Sequence, residues 1–227
     1  MFRNLFPSLV LLTLAIGGSY LFVQSQNNEP QMLADLESLV RVTDVQASEA
    51  DGPEVVEMAL GEADAPVTVI EYASFTCPHC ARFHEEVFGR LKTDYIETGK
   101  VRYIMRDVYF DRFGLWAAMV ARCEPDKFFG LSDAIYRQQR QWTDGASNRE
   151  VVNNLKALGR DAGLTDEAMN SCLQDNAKAQ ALVTAYQDNA DRDGIDSTPS
   201  FLINGRIYPN MAYADFKATL DALLAEQ

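Results

Sequence analysis

The sequence predicts an α/β sandwich carrying a helical lid. Three observations predict it: a β-α-β unit beginning near residue 67, a long stretch of helical spacing after residue 113, and a β-β-α ending. Val67 to Tyr72 is a β-rich run that starts after Pro66, and Val101 to Met105 is another. Between them Arg82 to Glu97 has amphipathic helical spacing, which completes the first unit. From Phe113 to Arg192 almost every segment has helical spacing, broken at Pro125, Gly130, Asp144-Gly145, Gly163 and Gly194. Phe201 to Asn204 and Arg206 to Tyr208 flank the turn Asn204-Gly205 and read as a hairpin, with Tyr213 to Leu224 as a closing helix. There is no internal repeat.

Upstream of this unit the chain changes character twice. Residues 1–24 hold Arg3 and then an apolar run from Leu5 to Val23, long for a signal-peptide core and just sufficient to cross a bilayer. Val23 and Ser25 make a poor cleavage site, so the segment reads as an anchor more than as a cleaved signal, and both readings stay open. Arg3 before the run and Glu29, Asp35 and Glu37 after it leave the rest of the protein outside the cytoplasm in either case. Residues 25–64 hold ten carboxylates against Arg41, a net of −9 out of −13 for the chain, and read as a solvated acidic linker. Met32 to Val42 within it has helical spacing. The domain proper is expected over residues 65–227, with the helical insertion at about 108–195. Its length allows a core without help from many cross-links. No basic stripe appears anywhere and the charge sign repels phosphates, which excludes nucleic acid as a partner.

The chemistry concentrates at Cys77-Pro78-His79-Cys80, directly after the first strand and at the mouth of the helix that follows. Two intervening residues place both sulfurs within one turn, so a small disulfide can close without moving the backbone. Pro78 at the first helical position costs no hydrogen bond. Cys77 then faces the unpaired N–H groups and the positive end of the helix dipole, which favour thiolate over thiol, and His79 can add a donor or a positive charge. A zinc knuckle would need two further ligands, and Cys123 and Cys172 do not form a second Cys-x-x-Cys. Haem attachment would need histidine where Ala81 stands. A structural disulfide closing so short a loop gains little from restricting the unfolded chain. Redox chemistry is the favoured use, with no metal and no cofactor called for.

Four other features carry readings of their own. Glu71, six residues before Cys77 in an otherwise apolar strand, is either a solvated acid or a buried proton acceptor for Cys80. His84, four residues beyond Cys80, reads as surface or packing and receives no role. Asn189-x-Asp191-x-Asp193-Gly194 imitates the start of a calcium loop, but its twelfth position is Ser200 and the loop would run through Pro199. Cys123 and Cys172, 49 residues apart, are expected to pair as a structural disulfide outside the cytoplasm, with two separate buried thiols as the alternative.

On Cys77-Pro78-His79-Cys80, the helical insertion and Ser197-Thr198-Pro199-Ser200-Phe201 before the last hairpin, the chain resembles thioredoxin-fold disulfide oxidoreductases of the DsbA type, over about Ala65 to Glu226. The resemblance implies a thioredoxin-like fold with an inserted helical domain. It implies a cis-proline at Thr198-Pro199, set against the redox pair to receive an extended substrate chain, and a buried acid at Glu71. It further implies a periplasmic dithiol oxidase acting on reduced, unfolded exported proteins and regenerated by a DsbB-like quinone-linked membrane oxidase. Thr198 departs from the valine common in the strongest oxidases of that family. A disulfide isomerase or reductase on the same scaffold is therefore the alternative, followed by a membrane-tethered chaperone or binding module.

Overall fold

The computed structural model describes residues 52–145 and 147–226; the segment 5–23, the helical spacing at Met32 to Val42 and most of the acidic stretch lie outside the described residues. Among the described residues no helix is long and apolar enough to cross a membrane. One five-stranded sheet runs in the order β1-β3-β2-β4-β5, formed by β1 (Met58–Leu60), β2 (Val67–Ala73), β3 (Val101–Asp107), β4 (Ser200–Ile203) and β5 (Arg206–Pro209). β2 and β3 are parallel with Val69 opposite Tyr103 and Glu71 opposite Met105, while β1, β4 and β5 pair antiparallel to their neighbours. The parallel pair requires a crossover. That crossover is helix α1, residues 78–96, α-helical at Pro78–Phe83 and Gly89–Leu91 and π-helical at His84–Phe88 and Lys92–Ile96.

The sheet starts earlier than the sequence reading placed the domain. Met58–Leu60, inside the stretch read as linker, is an edge strand with Met58 opposite Met105. Three residues amid carboxylates carry no strand signature of their own, and their pairing is supplied by β3. Gly61 then turns the chain at φ 86°, where a Cβ would lie 2.3 Å from the Val101 carbonyl oxygen, so only glycine fits. The β4–β5 turn is the expected Asn204-Gly205: both have positive φ, at 44° and 81°, as a two-residue hairpin of the right twist requires. Asn204 Oδ1 also accepts from the Thr68 N–H at 2.8 Å, fixing the hairpin to the central strand.

Side chains of β2 alternate, so Val67, Val69, Glu71 and Ala73 face one layer and Thr68, Ile70 and Tyr72 the other. On the first face α1 presents Cys80, Phe83, His84, Val87, Phe88 and Leu91, all buried at helical spacing. Helix α8 (Tyr213–Ala225) joins it there through Phe216, which meets Phe83 and Phe201 with ring centroids 5.7 and 4.7 Å away. On the second face Tyr72 donates to Asp193, which also binds Arg106 at 2.9 Å.

Between β3 and β4 lie α2 (Arg112–Ala121), a 3-10 turn at Pro125–Lys127, α3 (Phe128–Arg137), α4 (Gln139–Thr143), α5 (Asn148–Asp161), α6 (Asp166–Leu173) and α7 (Asn176–Asp193). Each start with a side-chain cap follows from its residue type: Asp111, Ser147, Thr165 and Asp175 accept the backbone N–H three positions on. Trp116, Leu131, Ile135, Trp142, Val151 and Leu155 fill this layer's interior without exposure above 1%. Cys123 and Cys172 are bonded, with an S–S distance of 1.99 Å and a Cα separation of 5.7 Å. They tie the end of α2 to α6. The calcium-like pattern does not form a loop, because α7 runs through Asp193 and stops at Gly194 in the left-handed region.

Candidate active site

Cys77 is the N-cap residue of α1, extended at φ −81° and ψ 118°, with its carbonyl accepting the Ala81 N–H at 3.1 Å and Pro78 beginning the helix. Cys77 and Cys80 are free thiols. Their surroundings differ sharply. Cys77 is pulled down to about 5, chiefly by a hydrogen bond from the Cys80 thiol, with Thr198 and the backbone N–H groups of Cys80 and His79 adding to it against the cost of burial. Burial pushes Cys80 far up, reinforced by its bond to Cys77 and by the nearby charge of Glu71.

Cys77 is the more accessible of the two, 8% exposed against 0% for Cys80, with the Thr198-Pro199 loop beside it. The Cys77 Sγ donates to the Thr198 carbonyl at 3.5 Å, and the Thr198-Pro199 bond is cis. The β2–β4 ladder ends at the Ser200–Tyr72 pair, so Thr198 lies beyond its last rung. His79 is exposed, and what it gives Cys77 is its backbone N–H.

His84, read from the sequence as surface or packing, is buried, and its Nε2 lies 3.0 Å from Glu71 Oε2. The i, i+4 spacing from Cys80 puts both on the same helix face, over the sheet, and this was the available signal. Glu71 is fully buried, and the Tyr103 hydroxyl also donates to its Oε2. Glu71 Oε1 and His84 Nδ1 are buried without a partner among the described residues. Tyr136 of α3 stacks on the His84 ring with centroids 4.2 Å apart and meets Phe75 at 4.9 Å. Burial and the charges of Glu71 and Cys80 hold the Tyr103 hydroxyl well above its usual range. Tyr136 moves in the same direction for the same reasons.

The segment before Cys77 is held by the helical layer through residues that no spacing rule indicated. Gln139 of α4 donates from Nε2 to the carbonyls of Phe75 at 2.8 Å and Cys77 at 3.0 Å. Asp111 accepts from Thr76 Oγ1 at 2.8 Å with one oxygen and from the Gly114 N–H at 2.9 Å with the other, capping α2 and anchoring the redox turn together. The arrangement can hold one sulfur as a thiolate and its neighbour as a thiol, with a carboxylate behind the second.

Comparison with known proteins agrees with this geometry. The family model described as Thioredoxin matches residues 54–222. A "Putative protein-disulfide oxidoreductase" of Rickettsia bellii is 33% identical over 172 residues, covering 75% of this chain and 65% of that protein. The chain thus spans just under two thirds of the length of that relative. "Disulfide bond formation protein D" of Bacillus subtilis is 27% identical over 71% of this chain and 74% of its own length. The crystal structure of Wolbachia pipientis alpha-DsbA1 superposes with a TM-score of 0.70 at 29% identity, covering 78% of this chain and 94% of that one. The cysteine pair at a helix start, the sheet order, the inserted helices and these similarities lead to one assignment: the chain belongs to the thioredoxin family, in its DsbA-type branch.

Proposed function

We propose that the protein is an extracytoplasmic thiol-disulfide oxidoreductase that introduces disulfides into reduced, unfolded exported proteins. The carrying observation is the asymmetry of the pair: Cys77 held near 5 and Cys80 driven far up. A substrate thiolate attacks the Cys77 sulfur of the oxidised enzyme, the Cys77–Cys80 bond breaks, and Cys80 leaves with the electron pair and takes a proton. A second substrate thiolate then attacks the substrate sulfur of the mixed disulfide and releases Cys77 as a thiolate. The substrate dithiol is oxidised and the enzyme is left as a dithiol. Because the protein stabilises the Cys77 thiolate, the reduced enzyme is favoured and electrons flow toward it.

Thr198 and Pro199 supply the surface on which an extended chain aligns beside Cys77, the main chain beyond the last rung of the sheet taking the place of a missing strand. Glu71 takes the part of proton acceptor and donor for Cys80, and the Cys123–Cys172 bond is structural. Regeneration requires an electron acceptor, for which a DsbB-like quinone-linked membrane protein fits. Residues 5–23 would hold the domain at the membrane, facing the periplasm. The rickettsial and Bacillus relatives, named for disulfide oxidoreduction and disulfide bond formation, support the thiol-disulfide chemistry of this reading.

A second reading, isomerase or reductase, rests on the presence of Thr198 before the cis-Pro199, in place of the valine that the resemblance ties to the strongest oxidases. Equilibration with glutathione decides between them. An oxidase gives a potential well above the about −270 mV of a thioredoxin-type reductant, and a value at or below that figure overturns the oxidase reading.

A further inference from the structure

The second face of the sheet is left partly open. Register places Ile104, Ile70, Leu202 and Ile207 side by side across β3, β2, β4 and β5, one apolar row on that face. β2 and β4 are interior strands, and on the first face their Val69 and Ile203 are 0% exposed. On the second face Ile70 and Leu202 are only half-buried, and Ile207 is 53% exposed. None of the four joins the contiguous apolar core. Helix α7 reaches the neighbouring row, where Tyr72 meets Asp193, and then ends. Gly194 stands at the edge of the apolar row, the place of its Cβ 3.7 Å from Ile207 Cδ1. An apolar row that crosses four strands calls for a covering element.

We infer that residues 32–42 dock as a helix across this row, so that the acidic stretch acts as a strap and not as a free linker. Leu33, Leu36, Leu39 and Val40, which share one side at helical spacing, supply the apolar surface. Size fits: residues 32–42 as a helix measure about 16 Å, and the three strand spacings of the row about 14 Å. Reach fits as well. The described residues begin on this side of the sheet, the place of a Cβ on Gly52 lying 3.7 Å from Ala181 of α7 and the Glu54 carbonyl accepting from Lys178 at 3.0 Å. From Ala181 to Gly194 the helix covers about 20 Å, and the chain between residues 42 and 52 spans up to about 33 Å.

Charge favours the same occupant. Arg102 lies on the second face of β3, opposite Thr68 and next along that face from Ile104. It is half-buried and has no acidic partner among the described residues. Asp35 and Glu37 border the apolar side of the segment, one on each flank, and so bring a carboxylate to that end of the row. A free helix of this length is marginal in water. Tethering removes that difficulty, because a short flexible linker holds its end at an effective concentration on the order of 1 mM, where a weak contact is enough. Docking of this kind is independent of the thiol chemistry proposed above.

The test is amide hydrogen exchange of the full chain, read by mass spectrometry over residues 32–42 and over the sheet. Docking predicts that the amides of residues 33–42 exchange at least about 10-fold more slowly than those of an unstructured chain. Ile207→Asp puts a charge on the row at a side chain that is already exposed. It should return residues 33–42 to the unstructured rate while β2 and β3 keep their protection. Leu36→Asp should do the same from the other side and raise exchange at β5. Residues 33–42 exchanging at the unstructured rate in the wild type overturn the docking. So does protection that Ile207→Asp leaves unchanged, which assigns the segment to another surface. Protection that fades on dilution assigns the row to a second copy of the chain and overturns it equally. Should Ile207→Asp lose protection throughout the sheet, Ile207→Thr, which keeps a β-branched residue in the strand, takes its place.

Discussion

The molecule contains two cysteine pairs in two kinds of surroundings. Cys77 and Cys80 stand three positions apart at the start of a helix against the sheet, as free thiols, while Cys123 and Cys172 stand 49 apart within the helical layer and are bonded. A bond that closes a long loop removes much entropy from the unfolded chain, and one that closes four residues removes little. The short pair is therefore left for chemistry. What separates the pairs further is the company they keep: helix amides, the Thr198-Pro199 loop and a buried carboxylate surround the first, whereas Cys123 meets the Ala168 carbonyl at 3.4 Å. Reactivity follows from surroundings that treat two sulfurs unequally.

That contrast can be broken from either side. The largest expected effect is on Cys77→Ser, which should reduce thiol exchange to background while leaving the thermal transition in place; retained exchange would move the chemistry elsewhere. Next comes the double change Cys123→Ala with Cys172→Ala. It should destabilise the fold by roughly 4 kcal/mol on the chain-entropy account, measured by denaturant unfolding, with exchange rates close to those of the wild type. A loss of exchange in the folded double variant would show that the two pairs are not independent. Gln139→Leu strips the only side-chain donor that bridges the Phe75 and Cys77 carbonyls among the described residues, and should cost about 1–3 kcal/mol together with a several-fold slower exchange. The smallest effect is the pH dependence of the difference between reduced and oxidised forms. Cys77 titrates lower in the folded protein than in the unfolded chain, so its stabilisation of the reduced form is complete above the unfolded value of about 8.5 and is lost as pH falls through about 5. Melting of the reduced protein should exceed that of the oxidised one by several degrees at neutral pH, and the gap should close toward pH 4 to 5.

Much of the architecture was legible because it is local. The β-rich runs at 67–72 and 101–105, the Asn204-Gly205 turn and the helix starts with Ser, Thr or Asp each carry their own signature. The edge strand Met58–Leu60 does not, since three residues beside carboxylates become a strand only where β3 receives them. At the site, Cys77, Cys80 and Glu71 stood out by spacing and by an acid in an apolar strand. His84 carried a usable signal, its helical spacing from Cys80, which burial turned into a contact with Glu71. Gln139 and Asp111 carried none, because their partners lie 62 to 64 and 35 positions away and are brought close only by the packed helical layer. The π-helical turns of α1 are equally invisible in residue pattern.

The most direct test is titration of the reduced protein by its ultraviolet thiolate absorbance, with Cys77→Ser as the blank. The account predicts a single thiolate appearing with a midpoint near pH 5 and no second one through neutral pH, because Cys80 stays a thiol. A midpoint at the free-cysteine value of about 8.5, or two sulfurs ionising together, would contradict it.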